Sequence, residues 1–225
     1  MSHSLCLLFD CDGTLVDSEP LLADVMADVL TRVGLPFAAP QYMAEFRGVR
    51  FANIVAELER RYGALDDATR DMAESEMRRN MQARMSRELQ PISGIREALE
   101  RLGAYPRCVA SNGPEHKIRR ALDSTGLRPY FEDRLYSGYT IESWKPEPGL
   151  FLHAARDMGF APEHCVVIDD AEVGVAAGLA AGMRTIHINR FPERETTPSG
   201  AIALHHMRDL PDVVARLAQL ETLPH

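Results

Sequence analysis

Two aspartates one residue apart, Asp10 and Asp12, stand in "LCLLFDCDGT" directly behind an apolar run. Carboxylates so placed can attack an electrophile, carry a proton, or hold a hard cation. Similar groups recur behind other apolar runs: Ser111 and Asn112 after "RCVA", and Asp169 and Asp170 after "CVVI". Lys145 stands in "SWKPEP", shortly after the run "RLYSG". Clustered carboxylates in a partly buried cleft need a compensating cation to stay ionised. An oxygen-only ligand set points to Mg²⁺ rather than zinc. Mg²⁺, Lys145 and helix N-terminal amides would together receive a dianionic phosphate. Asp10 can then attack phosphorus, while Asp12, turned away by the bend at Gly13, can protonate the leaving oxygen and later deprotonate water.

For these side chains to meet, the apolar runs must be parallel neighbours. "LCLLFD", "RCVASN", "RLYSG", "CVVIDD" and "RTIHIN" read as strands buried on both faces. Amphipathic stretches alternate with them at residues 94–102, 114–124, 147–158 and 172–181. This alternation predicts an α/β fold, a doubly wound, Rossmann-like parallel sheet, whose ligands bind beyond the C-terminal strand ends.

The rhythm breaks once, over residues 17–89, where the pattern is helical. One helix starts at Ser18 or Glu19 with Pro20 in its first turn, runs through Leu21, Leu22, Val25, Met26, Val29 and Leu30, and ends at Gly34. A second uses Phe51, Ile54, Val55 and Leu58, and stops at Gly63. Met72, Met77, Met81 and Met85 form a third stripe that suits the core of a small bundle. The organisation expected is therefore a catalytic core of residues 1–16 and 90–225 with a helical-bundle cap, residues 17–89, inserted after the first strand. Arg47 and Arg50, in "FRGVRF" of that insertion, are its candidates for touching substrate.

The 33 acidic against 25 basic residues give a net charge of -8, which argues against indiscriminate attraction to nucleic acid or anionic membrane. Apolar runs are too short to span a bilayer, and the first meets Asp10 too early for a secretory signal. Four cysteines without paired spacing read as reduced, buried thiols. The expectation is a cytoplasmic monomer acting on a small phosphorylated metabolite. Cysteine-phosphatase chemistry is disfavoured, because Cys6, Cys11, Cys108 and Cys165 are followed six residues on by Asp12, Asp17, Pro114 and Ala171, not by arginine.

Taken singly, each feature has a plainer use. Asp12-Gly13 suits a turn, Ser111-Asn112 and Asp169-Asp170 suit helix caps, and Lys145 suits a solvated charge. Gly174 and Gly178 suit close helix packing, and Gly182 a helix stop. The common address at successive strand ends is what binds them into one site. A signalling receiver domain shares an acidic pair, an acceptor aspartate and a lysine, but places its acidic pair after the first strand and carries no helical insertion.

These residues resemble the haloacid dehalogenase-like superfamily, in its phosphatase and phosphoglucomutase branch, through "DCDGT", "ASNG", "WKPEPGLF" and "VVIDDAEVGVAAGLAAGM". The resemblance covers essentially the whole chain, cap included. It implies Asp10 as nucleophile, Asp12 as acid/base, and Ser111 and Lys145 on the phosphoryl oxygens. Thr14 and Asn112 join the phosphate-binding set, and Mg²⁺ lies on Asp10, the Asp12 carbonyl and Asp169 or Asp170. Independently of the resemblance, the insertion's place beside Asp12 suggests a cap that closes over substrate. Ala171 departs from the serine often found after the acidic pair. Asp12 argues for phosphoryl transfer over dehalogenation, since a halide leaves without a proton. Leu22 and Arg50-Phe51 stand where similar phosphoglucomutases carry a histidine and a serine-arginine pair, which favours hydrolysis over mutase activity. A small phosphorylated sugar or sugar acid is the implied substrate class.

Overall fold

The computed structural model describes residues 5–46, 49 and 51–221, the last by its backbone alone. In chain order β1 (Cys6–Phe9) leads to β2 (Val16–Asp17) and the helices α1 (Glu19–Arg32), α2 (Ala39–Gln41), α3 (Phe51–Tyr62) and α4 (Asp67–Glu88). There follow β3 (Gln90–Pro91), α5 (Ile95–Arg101), β4 (Arg107–Ser111), α6 (Glu115–Ser124), β5 (Leu135–Ser137), α7 (Gly138–Ile141) and α8 (Gly149–Asp157). The chain then forms β6 (Cys165–Asp169), α9 (Glu172–Ala180), β7 (Arg184–Ile188), β8 (Ile202–Leu204) and α10 (Leu210–Glu221).

Six strands make a parallel sheet in the order β5-β4-β1-β6-β7-β8. The chain moves outward from β1 to β4 and β5, then returns to the other side of β1 with β6. That reversal leaves a crevice at the C-terminal end of β1, where open α/β sheets bind ligands. All five expected strands are present. The sixth, β8, escaped the sequence reading because "IAL" is a three-residue edge strand with two exposed residues.

Side chains alternate across the sheet. Cys6 and Leu8 of β1, Cys108 and Ala110 of β4, and Cys165 and Val167 of β6 face one layer, built from Leu150, Phe151, Ala154 and Ala155 of α8 and Ala177 of α9. Leu7 and Phe9 point the other way and are also fully buried, with Phe9 meeting Phe131 edge to face at 5.7 Å. Burial on both faces is why the sequence shows continuous apolar runs rather than alternation. All four cysteines are free and buried, and Cys6 lies beside Cys165 in the register.

Chain contacts divide the molecule into two compact units, residues 1–16 with 91–225, and residues 17–90. The second unit is helical, with one wide turn at Tyr42–Phe46. Its core takes Val25, Met26, Val29 and Leu30 from α1, Ile54, Val55 and Leu58 from α3, and Ala73 from α4. The methionine stripe is corrected at one end: Met72 is exposed, while Met77 and Met81 pack on this core beside Ala73. Residues 73, 77 and 81 are spaced four apart and share a face, which Met72 misses by about 100°. Among the described residues, no helix is long and apolar enough to cross a membrane.

Candidate active site

The loop leaving β1 is tightly folded. The Asp10 amide donates to the Ile168 carbonyl at 2.9 Å, and the Leu15 and Val16 amides both donate to the Cys11 carbonyl. This pins Asp10 beside β6. Lys145 Nζ reaches the same point and donates to Asp10 Oδ1 at 2.5 Å and to Asp169 Oδ2 at 2.7 Å. The lysine is 7% exposed, its ammonium 4.9 Å from the centre of the Phe151 ring. Asn112 sets its position: Asn112 Oδ1 accepts from the Lys145 amide at 2.8 Å, and Nδ2 donates to the Lys145 carbonyl at 3.2 Å. The Lys145-Pro146 peptide is cis. Ser111 is buried, and its Oγ accepts from the Gly113 amide at 3.1 Å.

Asp10, Asp169 and Asp170 each place one carboxylate oxygen within 4.8 Å of the others. Asp169 Oδ1 also accepts from the Ala171 amide at 2.9 Å, and Asp170 Oδ1 accepts from the Thr14 hydroxyl at 3.0 Å. Thr14, expected in the phosphate-binding set, thus directs its O–H at an acidic neighbour. His187 of β7 lies behind the pair, its Nε2 3.2 Å from the Asp170 carbonyl and its Nδ1 3.0 Å from Thr197 Oγ1. A carbonyl oxygen only accepts, so Nε2 carries a proton toward Asp170. Two glycines leave room for the carboxylates. A Cβ on Gly174 would overlap the Asp169 carboxylate, and one on Gly13, at φ +86, would overlap that of Asp170. The packing use expected of Gly174 is therefore a packing against a site carboxylate rather than against a helix. The candidate ligand atoms of this trio are all carboxylate oxygens, the donor set of a hard divalent cation, since the Lys145 ammonium beside them has no lone pair to give.

The Asp10 carboxyl is raised to about 7, chiefly by burial, with Lys145 opposing the rise and Asp169 and Asp12 adding to it. Burial opposes the charge on Lys145, but Asp10 and Asp169 outweigh it and hold the ammonium above its ordinary range. Burial raises the Cys11 thiol well above the usual range, and Asp12 and Asp10 add to the shift. Cys11, though set between two site residues, is therefore a poor nucleophile.

Asp12 stands apart from the carboxylate trio. Its Oδ2 accepts from Lys117 Nζ at 2.8 Å, while its Oδ1 is buried with no hydrogen-bond partner among the described residues. Asp12, Lys117, Ser111 and Gly113, with Cys11, Ile118 and Ala121, border one small gap too narrow for a water molecule. Of the residues singled out from sequence, Asp10, Lys145, Asp169 and Asp170 come together directly, Thr14 and Asn112 hold members of that group, and Ser111 and Asp12 border the small gap beside Lys117. Arg47 and Arg50 lie outside the described residues. Sequence reasoning missed Lys117 and His187. The signals available were a lysine in the first turn of the helix after "SNGP" and a histidine in the strand run "RTIHIN" next to the acidic pair.

The family model for haloacid dehalogenase-like hydrolases matches residues 5–182. The chain belongs to this family. The hydrolase is 31% identical over 214 residues to the 6-phosphogluconate phosphatase of Escherichia coli (strain K12), covering 95% of this chain and 96% of that protein. It is 28% identical to hexitol phosphatase B of Escherichia coli O157:H7, covering 94% and 95% of the two chains. Among solved structures, it is similar to a HAD family hydrolase from Deinococcus radiodurans R1 with bound phosphate and sodium. That match has a TM-score of 0.80 and 27% identity, covering 96% of this chain and 97% of the other.

Proposed function

We propose that this hydrolase is a Mg²⁺-dependent phosphatase that cleaves a small phosphorylated sugar or sugar acid, such as 6-phosphogluconate, through an aspartyl-phosphate on Asp10. The observation that carries the reading is the buried ammonium of Lys145 shared between Asp10 and Asp169, with Asp170 gathered beside them. So much charge gathered at one edge of the sheet is costly unless it serves a charged ligand. The similarity to the 6-phosphogluconate phosphatase of Escherichia coli over nearly the whole chain supports the substrate class.

In this mechanism a carboxylate oxygen of Asp10 attacks phosphorus as the bond to the leaving oxygen breaks. Lys145 and the Ser111 hydroxyl hold phosphoryl oxygens, whose charge grows during the transfer. Asp12 gives a proton to the leaving oxygen, then takes one from the water that hydrolyses the aspartyl-phosphate and restores Asp10. Asn112 fixes the Lys145 peptide. Mg²⁺, when bound through Asp10, the Asp12 carbonyl and the Asp169-Asp170 pair, would neutralise negative charge between protein and substrate.

The test is release of inorganic phosphate with Mg²⁺ present, from p-nitrophenyl phosphate and from a panel of sugar phosphates including 6-phosphogluconate. Asp10→Asn should lose at least about a thousandfold in turnover; undiminished turnover removes Asp10 as nucleophile. At least one sugar phosphate should exceed p-nitrophenyl phosphate in kcat/KM. If none does, the sugar reading fails.

A further inference from the structure

We infer that Lys117 is a positioning residue for the acid/base Asp12, holding one carboxylate oxygen so that the other is presented to the leaving group. The inference rests on the phosphatase reading above and adds a residue to it. Asp12 sits on the loop after β1, and Lys117 in the first turn of α6. The two charged groups are brought together over a separation of 105 residues, with Lys117 Nζ donating to Asp12 Oδ2 at 2.8 Å. The contact is half-buried, with side-chain exposures of 43% for Lys117 and 35% for Asp12.

The two oxygens of Asp12 differ sharply. Oδ2 is held by the ammonium, whereas Oδ1 is buried and has no hydrogen-bond partner among the described residues. An orphaned buried carboxylate oxygen is costly, and such oxygens persist where a ligand completes them. Asp12, Lys117 and Ser111, the proposed phosphoryl-oxygen donor, border one small closed gap. A phosphoryl group on Ser111 would lie next to Asp12, whose buried Oδ1 would reach the leaving oxygen once that gap opens toward substrate.

The division of labour follows from geometry. A lone carboxylate turns freely about its last side-chain bond and presents either oxygen in several directions. A charge-assisted hydrogen bond to one oxygen restricts that rotation. As the phosphorus–oxygen bond to the leaving group breaks and the bond to Asp10 forms, the proton passes from Oδ1 to the departing oxygen. Lys117 makes no bond to the reacting atoms in this scheme.

A leaving-group series separates positioning from a merely structural ion pair. Phenyl phosphate and p-nitrophenyl phosphate are close in shape, but only the first releases an oxyanion basic enough to need a proton. With Mg²⁺ present, Lys117→Met should lose about 30-fold in kcat/KM on phenyl phosphate and less than about threefold on p-nitrophenyl phosphate. Lys117→Arg, which keeps a cationic donor, should recover most of the loss. Asp12→Asn should show the same selectivity in kcat/KM, which ends at formation of the aspartyl-phosphate and excludes the water step that both substrates share, and adding Lys117→Met to it should cost little more, since both act through one carboxylate. Melting curves and far-UV circular dichroism of each variant check the fold. Equal losses on both substrates, or none, in a folded Lys117→Met protein overturn the role of Lys117 while leaving the phosphatase reading intact, provided Asp10→Asn is inactive and Asp12→Asn is selective. Undiminished turnover in Asp10→Asn overturns the underlying reading, and the role of Lys117 with it.

Discussion

Gly174 and Gly178 lie four residues apart in α9, yet they do different work. A methyl on Gly174 would fall on the Asp169 carboxylate, whereas one on Gly178 would meet Thr185 Oγ1 at 2.5 Å and the Val167 side chain at 3.1 Å. Gly174→Ala should therefore displace Asp169 and lower Mg²⁺-dependent kcat/KM by at least about tenfold, with an unchanged circular dichroism spectrum. Gly178→Ala overpacks the sheet–helix contact and should cost about 1–3 kcal/mol in stability, seen as a lower denaturation midpoint. Retained activity in Gly174→Ala would show that Asp169 tolerates displacement. From sequence the two glycines look alike, because helix spacing reveals which residues share a face but not which atoms lie opposite. Lys117 was illegible for the same reason: nothing local distinguishes it from other solvated lysines, and its partner is Asp12 of a distant loop.

At the scale of elements, α4 shows how a mostly polar helix is held. Its N-cap is Asp66, whose Oδ1 accepts from the Thr69 amide at 2.9 Å. Ion pairs one turn apart, Glu74 with Arg78 at 2.5 Å and Arg84 with Glu88 at 2.7 Å, follow along its surface. Each exposed pair adds only a few tenths of a kcal/mol, so the cap is the larger single contribution. Asp66→Ala should lower stability by about 1 kcal/mol, measurable as a melting point roughly 2–4 °C lower, with p-nitrophenyl phosphate turnover unaffected. An unchanged melting point would mean that water caps the helix as well as Asp66 does. Elements with long periodic patterns, such as α1, α3 and the doubly buried strands, were legible in the sequence. The short strand β8 and the phase of α4 were not. Three residues carry no period, and methionine at residue 72 is as apolar as methionine at residue 77 while pointing elsewhere.

For the molecule as a whole, the acidic balance and the carboxylate cluster work in one direction. A net charge of -8 does not draw phosphate esters, so local cations must receive them. The gathering of Asp10, Asp169 and Asp170, held in place only by the fold, should make the folded state bind Mg²⁺ far better than the unfolded chain does. At about 100 times its dissociation constant, such a ligand stabilises by about 2.7 kcal/mol, or a melting point roughly 5–11 °C higher. Excess EDTA should reverse the shift, and Asp170→Asn should diminish it. A melting point indifferent to Mg²⁺ in the unsubstituted protein would contradict the proposed metal site.

By itself the sequence determined the α/β class, the parallel strands, the helical insertion and the acidic and cationic residues at strand ends. Each of these is written in local periodicity or in short motifs whose chemistry depends on residue type. Tertiary structure alone decided that Thr14 serves Asp170, that Asn112 brackets Lys145, that Gly174 shelters Asp169 and that Lys117 grips Asp12. Those pairings join residues 33 to 156 apart in three of the four cases, and five apart in the other, where the register of β6 and α9 sets the contact. Sequence spacing carries no record of which distant side chains will be packed together, because that choice is made by the order of strands in the sheet.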